Sequence, residues 1–152
     1  MSHNLLNLAD LKQQDILGLI ELANNFKSED SIEYRHENLF PDKKVASIFS
    51  EPSTRTKLSF EIAACNLGAK FIDFNIENSS IQKGETLEDT IEAMMFMGVD
   101  LCILRHSESV IHDLAKQFSS MQFINAGEGS LAHPTQALTD LMTIQEFHEE
   151  FK

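Results

Sequence analysis

Positive charge is scarce in this chain. Twenty-four acidic residues face 12 lysines and arginines, a formal net charge of −12 at pH 7. Only Arg35, Arg55 and Arg105 carry a guanidinium. A surface so acidic repels phosphodiester backbones and anionic headgroups, which argues against nucleic acid or a membrane as partner. Cysteine is equally sparse. Cys65 and Cys102 lie far apart without metal-type spacing, each in an apolar periodic segment. Both are expected as buried free thiols rather than a disulfide or a zinc site, which fits a reducing cytoplasm. No apolar run approaches the ~20 residues that span a bilayer, and the first residues lack the basic and apolar stretches of a secretory signal. Missing too are a Walker loop, a GxGxxG turn and a GxSxG elbow, so triphosphatase, dinucleotide and serine-hydrolase chemistry have no support.

What is present suits one soluble domain. The 152 residues are 42% hydrophobic and 24% charged, enough to bury a real core. Residues 10–27 repeat apolar positions at helical spacing, with Asp10 as the expected N-cap. Residues 28–42 are polar and read as a loop. An alternation follows. Strands are expected at 43–50, 70–75, 99–105 and 121–125, and helices at 54–67, 86–97, 108–118 and 134–150. Gly68 and Gly98 stand as helix stops. Short apolar strands alternating with helices predict an α/β fold: a parallel four-stranded sheet with helices on both faces. The last helix meets no stop signal before Lys152, so it is expected to be a connecting helix of a larger protein. Its apolar positions Leu138, Leu141, Ile144 and Phe147 are then expected to be exposed.

In such sheets ligands bind beyond the carboxyl ends of the strands. After the first strand come Ser53, Thr54, Arg55 and Thr56, at the start of a helix. After the second come Ser79, Ser80 and Lys83, in a loop with Gly84. Arg105 ends the third. After the fourth come Gly127, Gly129, His133, Thr135 and Gln136, with Pro134 opening a helix. Two readings stand for residues 53–56: an ordinary Ser/Thr helix cap, or an anion site of backbone N–H groups, hydroxyls and a guanidinium. The collection of cations and neutral donors on one rim favours the second, with a phosphorylated small molecule as ligand. No nucleophile is evident, so such a site works by orienting substrates and stabilising charge that develops on an oxygen. His133 and Gln136 are spaced to point the same way. His106 reads as structural, His3, His36, His112 and His148 as surface residues, and Met94, Met95 and Met97 as core.

The segment Phe49-Ser50-Glu51-Pro52-Ser53-Thr54-Arg55-Thr56 resembles the signature of the aspartate and ornithine carbamoyltransferases. Lys83-Gly84-Glu85-Thr86-Leu87-Glu88-Asp89-Thr90, Leu104-Arg105-His106 and His133-Pro134-Thr135-Gln136-Ala137-Leu138 are similar to the family's other motifs, in the same order. Thr135 and Lys83-Gly84-Glu85-Thr86 resemble the aspartate branch. The resemblance implies that Ser53, Thr54, Arg55, Thr56 and Arg105 hold the phosphate of carbamoyl phosphate. Arg55, Thr56 and His133 would polarise the carbonyl and stabilise the oxyanion, and Gln136 would hold the carbamoyl amino group. It further implies a homotrimer in which Ser79, Ser80 and Lys83 serve a neighbouring subunit's site, and a cytoplasmic role in pyrimidine synthesis without metal or organic cofactor. Family members are about twice this long. Residues 1–152 are therefore expected to be the carbamoyl-phosphate domain, with L-aspartate bound only when an acceptor domain is present and with little turnover alone. The alternatives are an acceptor such as ornithine or a related amine, and a non-catalytic binding or assembly domain.

Overall fold

The structure is a computed structural model that describes residues 4–27, 38–76, 79 and 84–147. Among the described residues four strands carry the fold: β1 Lys44–Phe49, β2 Lys70–Phe74, β3 Leu101–His106 and β4 Gln122–Glu128. Of the five α-helices among the described residues, α2 Thr54–Asn66, α3 Leu87–Phe96 and α4 Ile111–Gln117 lie between successive strands, while α1 Gln13–Lys27 precedes β1 and α5 Pro134–Phe147 follows β4. Every strand pair is parallel and the order is β2-β1-β3-β4. The expected four-stranded parallel α/β sheet is what the chain forms. The chain steps outward from β1 to β2, then jumps back over β1 to β3. The direction of winding thus reverses between β1 and β3, and open sheets form a crevice at such a reversal.

Burial on both faces explains the near-continuous apolar strands. On one face Ala46, Ile48, Cys102, Leu104 and Phe123 pack with Ile91 and Met94 of α3 and Ile111 and Leu114 of α4. On the other, Val45, Ile103 and Ala126 pack with Ala64 and Phe60 of α2. Helix α3 starts on a reciprocal cap. The Thr86 hydroxyl accepts from the Asp89 N–H and the Asp89 carboxylate from the Thr86 N–H, which satisfies two otherwise orphaned donors. Those hydrogen bonds hold the Asp89 carboxyl below the ordinary carboxylate range. Helices α1 and α5 are joined by the Lys27–Glu146 ion pair.

Several expectations are corrected. Asp10 does not cap α1. It closes a 3-10 turn, Leu8–Asp10, capped by Asn7, and its carboxylate pairs with His112 Nε2 at 3.1 Å. Strand β4 runs three residues further than expected, through Ala126, Gly127 and Glu128, because Glu128 pairs with His106 beyond a register shift in β3. The two glycines looked like the start of a loop. The outer edge of β4 is also occupied. Leu5 N–H donates to Phe123 O at 3.0 Å and Leu5 O accepts from Asn125 N–H at 2.9 Å, a pairing too short to show in the sequence pattern. Cys102 is buried, and burial pushes its thiol up to about 12, but Cys65 is exposed. Met97 is 70% exposed, and of Met94, Met95 and Met97 only Met94 is fully in the core, because α3 buries one stripe alone. Helix α2 likewise leaves Leu58 and Ile62 at 49% and 58% exposure. Ile144 and Phe147 of α5 are exposed as expected, whereas Leu138 and Leu141 are half-buried.

An apolar groove of about 750 Å³ lies along α2, lined by Phe60, Ala64, Leu67, Val45, Leu101 and Ile124. It sits toward the amino half of the strands, where Lys43 and Asp100 also line it. It is therefore separate from the rim that carries the candidate site.

Candidate functional site

The strand order brings the expected rim together. Phe49 and Arg105 are register partners at the carboxyl ends of β1 and β3, so the turn into α2 and the last residues of β3 are neighbours. Ser50 fastens them. Its backbone N–H and its hydroxyl both donate to the Arg105 carbonyl, at 3.0 and 3.1 Å. Ser53 takes the N-cap position of α2 (φ −154°, ψ 83°) and makes no side-chain cap hydrogen bond. An ordinary Ser cap would satisfy an N–H of the first turn with its own oxygen. Here the hydroxyl and the first-turn N–H groups remain available to a ligand, which favours the anion reading over the cap. Thr54 and Arg55 are exposed and Thr56 is half-buried, all in the first turn of α2.

Arg105 is the most constrained cation of the rim. Its Nη1 donates to the Ala126 carbonyl at 3.1 Å, and its Nη2 lies 3.4 Å from a Glu51 carboxylate oxygen. Its Nε is buried without a hydrogen-bond partner among the described residues. A buried unpaired donor is costly and calls for a reason. Gly127 supplies it. A Cβ at Gly127 would lie 2.4 Å from Arg105 Nη1 and 3.4 Å from His133 Cδ2. Arginine and histidine thus converge on a bare backbone that only glycine offers, and the guanidinium lies close against it.

Asn125 sets the position of that glycine. It is fully buried, its side-chain carbonyl accepts from Gly127 N–H at 2.8 Å, and its amide donates to the Leu6 carbonyl at 2.9 Å. Glu128 is also buried, at 2% exposure, and accepts from Ile111 N–H at 3.0 Å, which caps α4. Its own backbone N–H donates to Ala132 O at 2.9 Å, one residue before His133. The structure thus assigns work to Asn125, Glu128 and Glu51, which the sequence reading left without roles. For Asn125 and Glu128 the signal was present: polar residues within the buried end of a strand need partners.

His133 has its Nδ1 3.3 Å from the Thr135 hydroxyl. Its pKa is lowered, first by burial and then by the Arg105 charge, with Asp140 opposing. Burial and the Arg105 charge therefore both favour the neutral imidazole. Gln136 follows one turn along α5, and its amide Nε2 donates to Asp140 at 2.9 Å. His106 is structural as expected, accepting from Glu108 N–H at 3.0 Å. Ser79 donates to the Ile76 carbonyl at 2.8 Å, far along the sheet at the end of edge strand β2. Ser80 and Lys83 lie outside the described residues, as do His3, Arg35, His36 and His148. Among the described residues no cluster of three or more His, Cys, Asp or Glu is arranged to hold a metal ion, and no helix is long and apolar enough to cross a membrane.

An α/β sheet with cationic and neutral donors gathered at its reversal point belongs to the class of folds that bind anions beyond the strand ends, and comparison with known proteins narrows it. Residues 3–146 match the family described as "Aspartate/ornithine carbamoyltransferase, carbamoyl-P binding domain". The chain belongs to that family. It is 43% identical over 149 residues to the aspartate carbamoyltransferase catalytic subunit of Staphylococcus saprophyticus, covering 98% of this chain and 48% of the relative. It is 46% identical over 144 residues to the Coxiella burnetii catalytic subunit, covering 94% of this chain and 46% of the relative. Aspartate transcarbamoylase from Trypanosoma cruzi, solved with carbamoyl aspartate and phosphate, superposes with a TM-score of 0.85 at 33% identity, over 95% of this chain and 46% of that one. The M. jannaschii catalytic subunit gives 0.82 at 39% identity, over 95% and 47%. The chain spans about half the length of the curated relatives it matches.

Proposed function

We propose that this chain binds carbamoyl phosphate at the reversal point of its sheet and supplies the donor half of an aspartate carbamoyltransferase, passing the carbamoyl group to L-aspartate in pyrimidine synthesis in the cytoplasm. The observation that carries this reading is the convergence of Arg105 and His133 on Gly127, beside an α2 N-terminus whose Ser53 makes no cap bond. The phosphate of the donor sits on residues 53–56 and the Arg105 guanidinium, which exchanges the Glu51 carboxylate for phosphate oxygens. The carbonyl oxygen faces Arg55, Thr56 and His133. A Thr135 hydroxyl donating to Nδ1 leaves the His133 proton on Nε2, and a neutral imidazole then donates to the carbonyl without placing a full charge beside Arg105. The substrate amine attacks the carbonyl carbon, negative charge builds on that oxygen, and the tetrahedral intermediate collapses as the carbon–oxygen bond to phosphate breaks, one proton of the attacking amine leaving with inorganic phosphate. These donors stabilise the oxyanion because they are fixed before it forms.

The acceptor's contacts are proposed to come from the part of the relatives' length that this chain does not span, so the chain alone should bind the donor and transfer it poorly. Titration calorimetry with carbamoyl phosphate against inorganic phosphate tests the reading. Saturable binding that is tighter for carbamoyl phosphate supports it, and equal or undetectable binding of both refutes it. Arg55→Ala is expected to weaken both ligands by about 10- to 150-fold, the equivalent of one charged hydrogen bond of about 1.5–3 kcal/mol. Thermal stability should change little, since Arg55 is exposed.

The assembly proposed is a homotrimer in which the loop with Ser79, Ser80 and Lys83 reaches the site of a neighbouring copy. Two observations support it. That loop follows β2, at the sheet edge remote from β4 and His133. Helix α2 also turns Leu58 and Ile62, one turn apart, to solvent, where an interface would bury them. The double variant Leu58→Gln, Ile62→Gln should then shift the sedimentation coefficient from trimer to monomer. A wild-type chain that is monomeric at tens of micromolar would refute the assembly.

A further inference from the structure

Gln136 is a primary amide, and its two ends differ in chemistry. The carbonyl end accepts hydrogen bonds and the NH2 end donates them. A free glutamine at a ligand site can present either end by rotating about its last bond. In this chain it is held. Nε2 donates to Asp140 Oδ1 at 2.9 Å, and an ionised carboxylate can only accept, so the NH2 end must face Asp140. The carbonyl oxygen Oε1 is left as the free end.

The placement is built into α5. His133, Gln136 and Asp140 follow one another at spacings of three and four residues, which puts them in one row along the helix. Helical side chains lean toward the N-terminus. Asp140 therefore leans back onto Gln136, and Gln136 leans toward the turn that carries His133. His133, the first member of the row, lies 3.4 Å from the place a Gly127 Cβ would take, beside the Arg105 guanidinium, so this row stands next to the converging site rather than on a remote surface.

We infer that Asp140 is a positioning residue that fixes the flip of the Gln136 amide and thereby makes the site select a donor with an N–H-bearing group on its carbonyl carbon. This rests on the carbamoyl-phosphate reading above and adds the source of its selectivity. A carbamoyl group offers an NH2 that the fixed Oε1 accepts. An acetyl group offers a methyl at the same place and leaves Oε1 unpaired. A site built to hydrogen-bond a group rejects the analogue that lacks it. The pair is exposed, so the discrimination is that of one partly solvated hydrogen bond, about fivefold.

The test compares carbamoyl phosphate, acetyl phosphate and inorganic phosphate by calorimetry on the 152-residue chain, wild type and Asp140→Asn. Asparagine has nearly the same shape but can donate, so it releases the flip. Removing a negative charge near an anion site tightens all three ligands alike, and the ratio of carbamoyl to acetyl phosphate affinity cancels that effect. The expected result is that this ratio falls about fivefold in Asp140→Asn. Gln136→Leu should lower the ratio similarly, and Asp140→Asn should add nothing in that background, because coupled residues are not additive. A ratio unchanged in Asp140→Asn overturns the inference, as does an equal fall in the Gln136→Leu background. Wild-type chain that prefers carbamoyl phosphate to inorganic phosphate but not to acetyl phosphate overturns this inference alone. Wild-type chain that does not bind carbamoyl phosphate overturns the underlying reading and this inference with it.

Discussion

Replacing Gly127 with alanine is expected to weaken carbamoyl phosphate and inorganic phosphate binding by at least about tenfold, while the chain stays folded with a lower melting temperature. Two separate effects act at one residue. The backbone at Gly127 has φ +125°, a conformation that side-chain-bearing residues rarely adopt, at a cost of about 1–3 kcal/mol. For a chain of this size that lowers Tm by about 2–12 °C. The second effect is local. The new Cβ would lie 2.4 Å from Arg105 Nη1, closer than any real contact. The guanidinium is the far end of a flexible side chain, so it moves and the backbone does not. Arg105 then loses its bond to the Ala126 carbonyl and its aim at the phosphate position. Loss of one or two charged hydrogen bonds, each about 1.5–3 kcal/mol, sets the binding effect.

A second glycine separates these effects. Gly98 also has positive φ, +80°, but a Cβ there would meet only Lys44 Nζ, at 3.4 Å. Gly98 lies just past the end of α3, at the opposite end of the sheet from the rim. Gly98→Ala should lower Tm by a similar amount and leave phosphate affinity unchanged. Calorimetric titration and thermal denaturation of both variants check the pair. A Gly127→Ala chain that binds as wild type would show that Arg105 does not depend on that bare backbone.

The architecture was legible wherever a local signal and a tertiary demand agreed. Val45 to Phe49 as a buried strand and the 54–67 periodicity as a helix each have one reading, and the chain folds accordingly. Disagreement arose where a residue serves a partner distant in sequence. Asp10 has the chemistry of a cap, but His112 takes its carboxylate. Gly127 and Gly129 have the chemistry of a loop, but β4 continues through the first of them because His106 offers Glu128 a register partner. Met97, Leu58 and Ile62 follow helical periodicity and still face solvent, because periodicity marks a stripe without saying what covers it. At the site, the donors could be collected from the sequence by their places after strands. Their order in space could not, since only the reversal between β1 and β3 makes Arg105 the neighbour of residues 53–56. Asn125 and Glu128 were hidden for a related reason: their partners, Leu6 and Ile111, are identified only once the sheet and α4 are in place.

Replacing Arg105 with alanine is expected to reduce carbamoyl phosphate affinity about 100-fold, and replacing it with lysine to restore only part of that loss. The guanidinium does two things at once. One nitrogen donates to the Ala126 carbonyl and a second lies by Glu51, so the planar fork can keep the first contact while it exchanges the second for a phosphate oxygen. An ammonium is a compact point charge on a flexible stem and cannot hold both positions in one fixed geometry. Arg105→Lys should therefore recover the long-range attraction but not the orientation, binding about tenfold more weakly than wild type. The stability change should be modest. Alanine leaves the Ala126 carbonyl short of one partner, a cost of about 1 kcal/mol. It also removes a buried Nε without a partner among the described residues, which opposes that cost. The Glu51 contact is partly exposed and contributes little. The combination expected is a large loss of binding with nearly unchanged Tm. The reverse pattern, strong destabilisation with phosphate affinity retained in the folded fraction, would make Arg105 a strut for β4 and would move the phosphate site onto the α2 N-terminus alone.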